Sequence, residues 1–362
     1  MTGPRIVVAP DKFKGSLTAQ QVADAVARGI RTTIPHADVV EFPIADGGEG
    51  TVQMMLARGW EQVDCAVTGP TGDIVDAAYA FLDGCAVMEM SAAAGLALVP
   101  GGPTSKSASD STTFGVGEMI ADALNRGADR IVIGVGGSAT TDGGQGALRA
   151  LGAVVHAGGA TFDSIDPRLV STDVVVVCDV DNPLTGPTGA AAVYGPQKGA
   201  TPHDVGILDA HLQLWADQVE SATGHDARYL PGAGAAGGLA FGLAAVLRAR
   251  LVPGIDFMLE LTGFDEVLAD TDLVVVGEGS LDAQSLHGKG PIGVARAARK
   301  QGVTVVAAVG RSEVSDDEAR AAGVSDIYTL TSYEPNVDVA MREAARLLHI
   351  VGEHIGNRYA EP

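Results

Sequence analysis

The tightest constraint on this chain is a strand–helix alternation that occupies both ends and is absent from the middle. Arg5–Pro10 (RIVVAP) is a short β-branched run. Thr18 and Gln21 then fit a capping box, and Leu17, Val22, Val26 and Ile30 recur near helical spacing. Asp38–Ile44 reads as a second strand, followed by a helix through Val52, Met55 and Leu56 that ends near Gly59. The far end repeats the pattern. Strands over Asp272–Val276, Thr304–Val309 and Ile327–Leu330 alternate with helices over Ile292–Arg299, Asp317–Ala322 and Ala340–Ile350. Short buried strands separated by helices predict a parallel sheet covered on both faces. Five such strands suit the order 2-1-3-4-5.

The middle follows another rule. Gln62–Thr68, Ile74–Leu82 and Ala86–Met90 are strand-like and joined by Gly/Asp turns with no helix between them, which predicts antiparallel or mixed pairing. Helical spacing returns with Val116, Met119, Ile120, Ala123 and Leu124, then around Leu151 and over Leu208–Val219. Val174–Val177 is one more strand, and PGAGAAGGLAFGLAAVL begins as a glycine loop and becomes a helix. The expected fold class is α/β with two domains. A Rossmann/flavodoxin-like parallel-sheet domain spans 1–64 and 264–362, and an inserted mixed α/β domain spans 65–263. An active-site cleft is expected between them.

With 362 residues the chain exceeds a usual single core. Its 48 glycines are about twice the average usage of ~7% and suit tight turns at strand ends. The net charge of −21 opposes nucleic-acid and anionic-membrane partners. A phosphorylated ligand would need local cations, backbone donors or a divalent metal. Three scattered cysteines form neither a disulfide framework nor a zinc pattern. The chain opens directly into a strand with no signal peptide, and no apolar run approaches the ~20 residues of a membrane span. A cytoplasmic protein is expected.

Chemistry-bearing residues gather in loops at strand ends. Ile131–Gly146 (IVIGVGGSATTDGGQG) runs from a strand through Gly136, Gly137, Ser138, Thr140, Thr141 and Asp142 into a helix. Small residues let backbone N–H groups approach an anion; Asp142 with Gln145 also fits a plain helix cap. Neither a P-loop nor a usable dinucleotide fingerprint is present. Cys178–Pro183 (CDVDNP) ends a strand with Asp179 and Asp181, oxygen ligands that suit Mg2+, although an Asx turn before proline explains the same residues. Gly277–Gly290 (GEGSLDAQSLHGKG) collects Glu278, Asp282, Gln284 and Lys289 between a strand and a helix. Asp11–Ser16 (DKFKGS) places Lys12 and Lys14 at the end of the first strand, an unusual concentration of positive charge for so acidic a chain.

These loops resemble the type I glycerate kinase family. The matching segments are PDKFKGSLTA, ADGGEGT, GGSATTDGGQG, CDVDNPLTGPTGA, PGAGAAGGL, PGID and GEGSLDAQSLHGKGPIGVA, which occur in the family's order over nearly the whole length. Lys12 departs from the serine more usual there, which favours Lys14 as the site lysine. The resemblance implies ATP- and Mg2+-dependent phosphorylation of D-glycerate, usually at the 2-hydroxyl to give 2-phospho-D-glycerate. It also implies a two-domain fold with one domain inserted in the other.

On that resemblance the expected roles divide as follows. Gly136, Gly137, Ser138, Thr140 and Thr141 contact ATP, together with Gly277, Gly279, Ser280 and Gln284. Asp179, Asp181 or Glu278 carry Mg2+. Lys14 and Lys289 bind the substrate carboxylate or neutralise the transferring phosphoryl group, and Asp142 or Asp282 accepts the hydroxyl proton. The partners are small molecules, D-glycerate and ATP, and a homodimer is compatible with the sequence. The alternatives are phosphorylation at the 3-hydroxyl, a related hydroxy acid as substrate, a nucleotide- or sugar-acid-binding regulator without turnover, and a hydride-transferring hydroxy-acid enzyme.

Overall fold

The computed structural model describes residues 3–156, 158–283, 285–287 and 290–359. Among them the strands in chain order begin with β1 (Arg5–Pro10), β2 (Asp38–Glu41), β3 (Glu61–Thr68), β4 (Ile74–Leu82) and β5 (Cys85–Glu89). They continue with β6 (Arg130–Gly134), β7 (Val154–His156), β8 (Gly159–Thr161), β9 (Asp173–Val177) and β10 (Arg250–Val252). The last three are β11 (Leu273–Leu281), β12 (Thr304–Ser312) and β13 (Asp326–Thr329). The chain forms two compact units, Met1–Asp46 with Gly254–Pro362, and Gly47–Pro253.

The first unit is built on a five-stranded sheet in the order β13-β12-β11-β1-β2, parallel throughout. This is the flavodoxin-like order expected from five βα repeats. Strand alternation sends Ile6 and Val8 to one face and Val7 and Ala9 to the other, and both sets are buried. The first face is covered by helices Ala19–Thr33 and Ala344–Tyr359. These two helices touch backbone to backbone at Gly29, where a Cβ would lie 2.0 Å from the His349 carbonyl. The other face is covered by helices Gly254–Leu261 and Gly290–Lys300.

The second unit carries a six-stranded sheet, β10-β9-β6-β5-β4-β3. Its β10, β9, β6 and β5 run parallel, and β4 and β3 complete it as an antiparallel meander. Helices Phe114–Asn125 and Ala235–Leu247 contribute Val116, Met119 and Leu239 to a core shared with Ile131, Ile133, Val174 and Val176.

Three local expectations change. First, β11 does not stop at Val276; it continues through Glu278–Leu281, paired with β12 as far as Leu281 against Ser312. Glycine permits this, because Gly277 passes so close to β12 that a Cβ would sit 2.7 Å from the Ala308 carbonyl. Second, β10 is too short to show a period, and it exists because Arg250–Val252 docks along β9. Third, β2 ends at Glu41, yet Phe42 and Ile44 still donate to the carbonyls of Val8 and Pro10.

Candidate active site

In the second unit the loop after β6 is assembled by close backbone approach. Gly134 lies so near Gly47 that a Cβ would fall 1.9 Å from the Gly47 carbonyl. The Leu96 N–H donates to the Gly137 carbonyl, and the Ala139 N–H to that of Ala94. Asp142 then organises the following turn. Its Oδ2 accepts from the Thr113 N–H (2.9 Å), the Thr113 hydroxyl (2.8 Å) and the Gly146 N–H (3.1 Å), and its Oδ1 from the Gly144 N–H (3.1 Å). The carboxylate thus caps helix Gln145–Ala150 and ties it to the start of helix Phe114–Asn125.

The back of the loop is held by groups far away in sequence. Gly143 donates to the Gly237 carbonyl (3.0 Å), and the Trp215 indole Nε1 donates to the Gly143 carbonyl (3.0 Å). The buried Lys198 Nζ donates to the Thr140 carbonyl at 2.5 Å. Ala236, Gly237 and Gly238 adopt left-handed φ values of 52°, 66° and 90°. Gly237 is required here, since a Cβ would lie 1.9 Å from the Thr140 carbonyl. Thr140 and Thr141 are buried, and the Thr140 hydroxyl donates to the Ala236 carbonyl. The Thr141 Oγ1 is buried with no partner among the described residues. Among the described residues the N–H groups of Thr140, Thr141 and Asp142 donate to no backbone carbonyl. Gly136 and Gly137 are exposed, and Ser138 is half-buried.

Two neighbouring segments of the same unit are also fixed by side chains. Glu89, at the end of β5, accepts from the N–H groups of Gly50 (3.0 Å) and Val52 (2.9 Å) and so shapes the GGEGT turn. After β9, Asn182 donates to the Thr188 carbonyl (2.8 Å) and accepts from the Tyr194 hydroxyl (2.5 Å). That anchors the loop bearing Asp179, which is half-buried, and Asp181, which is exposed.

In the first unit, acids collect where β1 and β11 end. Burial pushes the Asp11 carboxyl up to about 6; Lys12, 3.8 Å away, opposes the rise and Asp46 adds to it. Burial likewise pushes Glu278 up to about 7, against a hydrogen bond from Ser285 and with Asp11, Asp282 and Asp46 adding to the rise. The Glu278 Oε1 is buried with no partner among the described residues. Asp282 Oδ1 accepts from the Ser285 N–H (3.1 Å), and the Ser280 hydroxyl accepts from Arg311 Nε (3.1 Å). Gly277 and Gly279 belong to β11, with Gly279 set beside the backbone of Phe13 and Lys14. Lys14 is exposed on the turn between Phe13 and Leu17, whereas Lys12 is half-buried against Asp11. Gln284 and Lys289 lie outside the described residues.

Among the described residues no three His, Cys, Asp or Glu side chains converge as a metal-holding group. Mg2+ bound with a nucleotide keeps several waters and takes only one or two carboxylates besides phosphate oxygens. Glu278 fits that demand: its buried Oε1 has no partner among the described residues, and Asp11, Asp282 and Asp46 stand near enough to raise its pKa further.

Four residues here escaped the sequence reading as site residues. Thr113 and Glu89 lie in segments that read as ordinary loop and strand. Asp11 stood inside a quoted motif without a role. Lys198, in YGPQKGA, carries no local signal at all.

The model of the glycerate kinase family matches residues 6–360. The glycerate kinase of Bacillus subtilis (strain 168) is 42% identical over 363 residues, covering 95% of this chain and 94% of its own. The glycerate 2-kinase of Escherichia coli (strain K12) is 40% identical over 360 residues, covering 94% of each chain. A crystal structure described as glycerate kinase 2 from Salmonella typhimurium LT2 superposes with a TM-score of 0.84 at 37% identity, covering 98% of each chain. Similarity along the whole length, in sequence and in fold alike, means that this chain belongs to the glycerate kinase family.

Proposed function

We propose that the protein transfers the γ-phosphoryl group of ATP to the 2-hydroxyl of D-glycerate, giving 2-phospho-D-glycerate and ADP. The observation that carries this reading is the loop Gly136–Gly146. Its carbonyls are held from behind by Lys198 and Trp215, while the N–H groups of Thr140 to Asp142 keep no backbone acceptor among the described residues. Phosphoryl transfer asks for this kind of fixed donor array, because its catalysis is mainly positioning and charge stabilisation.

The remaining roles follow the chemistry of each side chain. Gly136, Gly137, Ser138, Thr140 and Thr141 contact the ATP phosphates, and Ser280, with Gln284, adds polar contacts. Mg2+, when bound, neutralises phosphate charge; Glu278 would hold it, with Asp179 and Asp181 as further oxygen donors. Lys14 and Lys289 bind the carboxylate of D-glycerate or the transferring group. Asp142 already accepts four hydrogen bonds, two from Thr113 and two from its own loop, so it organises donors, and Asp282 is assigned to the substrate hydroxyl proton. Access to a pool of ATP suits a cytoplasmic location in this reading.

Coupled ADP release with D-glycerate, ATP and Mg2+ tests the reaction, and phosphorus NMR of the product tests the position. A 2-phosphoglycerate resonance is expected. A 3-phosphoglycerate resonance would move the accepting hydroxyl, and ADP release that does not depend on D-glycerate would overturn the assignment.

A further inference from the structure

Lys198 is the only fully buried Lys, Arg, Asp or Glu among the described residues, at 1% exposure. Burying an ammonium group is unfavourable by several kcal/mol unless it is well compensated. The compensation here is incomplete. Its Nζ donates to one neutral acceptor, the Thr140 carbonyl, and the charge it faces is Asp142, whose oxygens already serve Thr113, Gly144 and Gly146. A methionine of similar length would fill the same space without that penalty, so stability does not explain the lysine.

The geometry of the peptide does. The bond between Thr140 and Thr141 is trans, as are all peptide bonds described here. In a planar trans peptide the carbonyl and the N–H point in opposite directions. A Thr140 carbonyl drawn onto Lys198 therefore aims the Thr141 N–H away from Lys198. Among the described residues that N–H has no backbone acceptor and the Thr141 hydroxyl is a buried oxygen without a partner. Gly237 lies against the same carbonyl, with no room for a side chain, and keeps the peptide from rotating.

We propose that Lys198 is a positioning residue for phosphoryl transfer, which fixes the Thr140–Thr141 peptide so that the Thr141 N–H is presented to the phosphate. Burial pulls its pKa down to about 7, with Asp142 opposing, so only the fraction still protonated adds positive charge behind the loop. The inference rests on the reading that this loop holds ATP phosphates.

The test compares wild type with K198M, which keeps the length and loses donor and charge, and with K198Q, which keeps a donor and loses charge. Wild-type turnover is measured first; no D-glycerate-dependent ADP release there refutes the kinase reading itself. Given turnover, K198M is expected to lose about a hundredfold in kcat, the scale of a misplaced reacting group. Its melting temperature should stay at or above that of wild type, and its KM for D-glycerate within about threefold, while K198Q recovers part of the loss. Wild-type kcat in a folded K198M or K198Q overturns the proposal. So does failure of both variants to fold, which would make the lysine a structural anchor only.

Discussion

The Asp142 carboxylate takes both donors of Thr113, its backbone N–H at 2.9 Å and its hydroxyl at 2.8 Å. The same hydroxyl accepts from the Ala147 N–H at 2.9 Å, so one small side chain joins the starts of two helices and the glycine loop. Thr113→Val keeps the shape and the backbone N–H bond to Asp142 but removes both bonds of the hydroxyl. It should destabilise the protein by about 2 kcal/mol, the scale of one bond to a charged group plus one orphaned N–H. A lowered urea midpoint with an unchanged slope would show it; an unchanged midpoint would mean that the link contributes nothing.

Gly237→Ala places a Cβ where the Thr140 carbonyl already lies, 1.9 Å away, at a φ of +66°. Both the overlap and the left-handed backbone oppose the methyl group. The variant should lose at least about 3 kcal/mol of stability and nearly all turnover. Near-normal thermal melting and near-normal kcat would contradict the packing described for this loop.

Glu278 should make stability fall as pH rises through neutrality. Burial lifts its folded pKa from the ordinary 4.5 to about 7, so the folded chain holds the proton more tightly than the unfolded chain. The stabilisation is complete below about pH 4.5 and is lost as pH rises through 7. Glu278→Gln removes the dependence and should melt higher than wild type at pH 8, by an equivalent of about 2 kcal/mol, with little difference at pH 5. Added Mg2+ should raise wild-type melting at pH 8 more than it raises that of the variant. Identical pH profiles for the two proteins would show that Glu278 is not the strained carboxylate.

Lys14 is exposed, and its loss should leave melting unchanged. Lys14→Ala should raise KM for D-glycerate about tenfold, the scale of one charge-assisted contact of ~1.5 kcal/mol. Steady-state kinetics at saturating ATP measures this, and an unchanged KM would remove Lys14 from the substrate site.

Much of the architecture was legible because its signals are local. The capping box at Thr18 and Gln21, read from two residues, is present in helix Ala19–Thr33. The five βα repeats yielded their sheet order because a parallel crossover has few ways to close. Other elements depend on a distant partner. Glu278–Leu281 resembles a loop in composition and becomes strand only because β12 lies alongside it. Asp142 read equally well as a cap or as a catalytic carboxylate, and the difference rests on Thr113, 29 positions earlier.

The sequence by itself determined which residues are small, apolar or charged and at what spacing, and therefore the α/β class, the glycine loops at strand ends and the resemblance to glycerate kinases. Only the tertiary structure decided which of those groups lose water and which neighbours they then meet. It buried Lys198 against a carbonyl 58 residues away, left an oxygen of Glu278 without a partner among the described residues, and set Gly237 against Thr140. Desolvation and close approach are properties of the assembled chain, and no local pattern of residues encodes them.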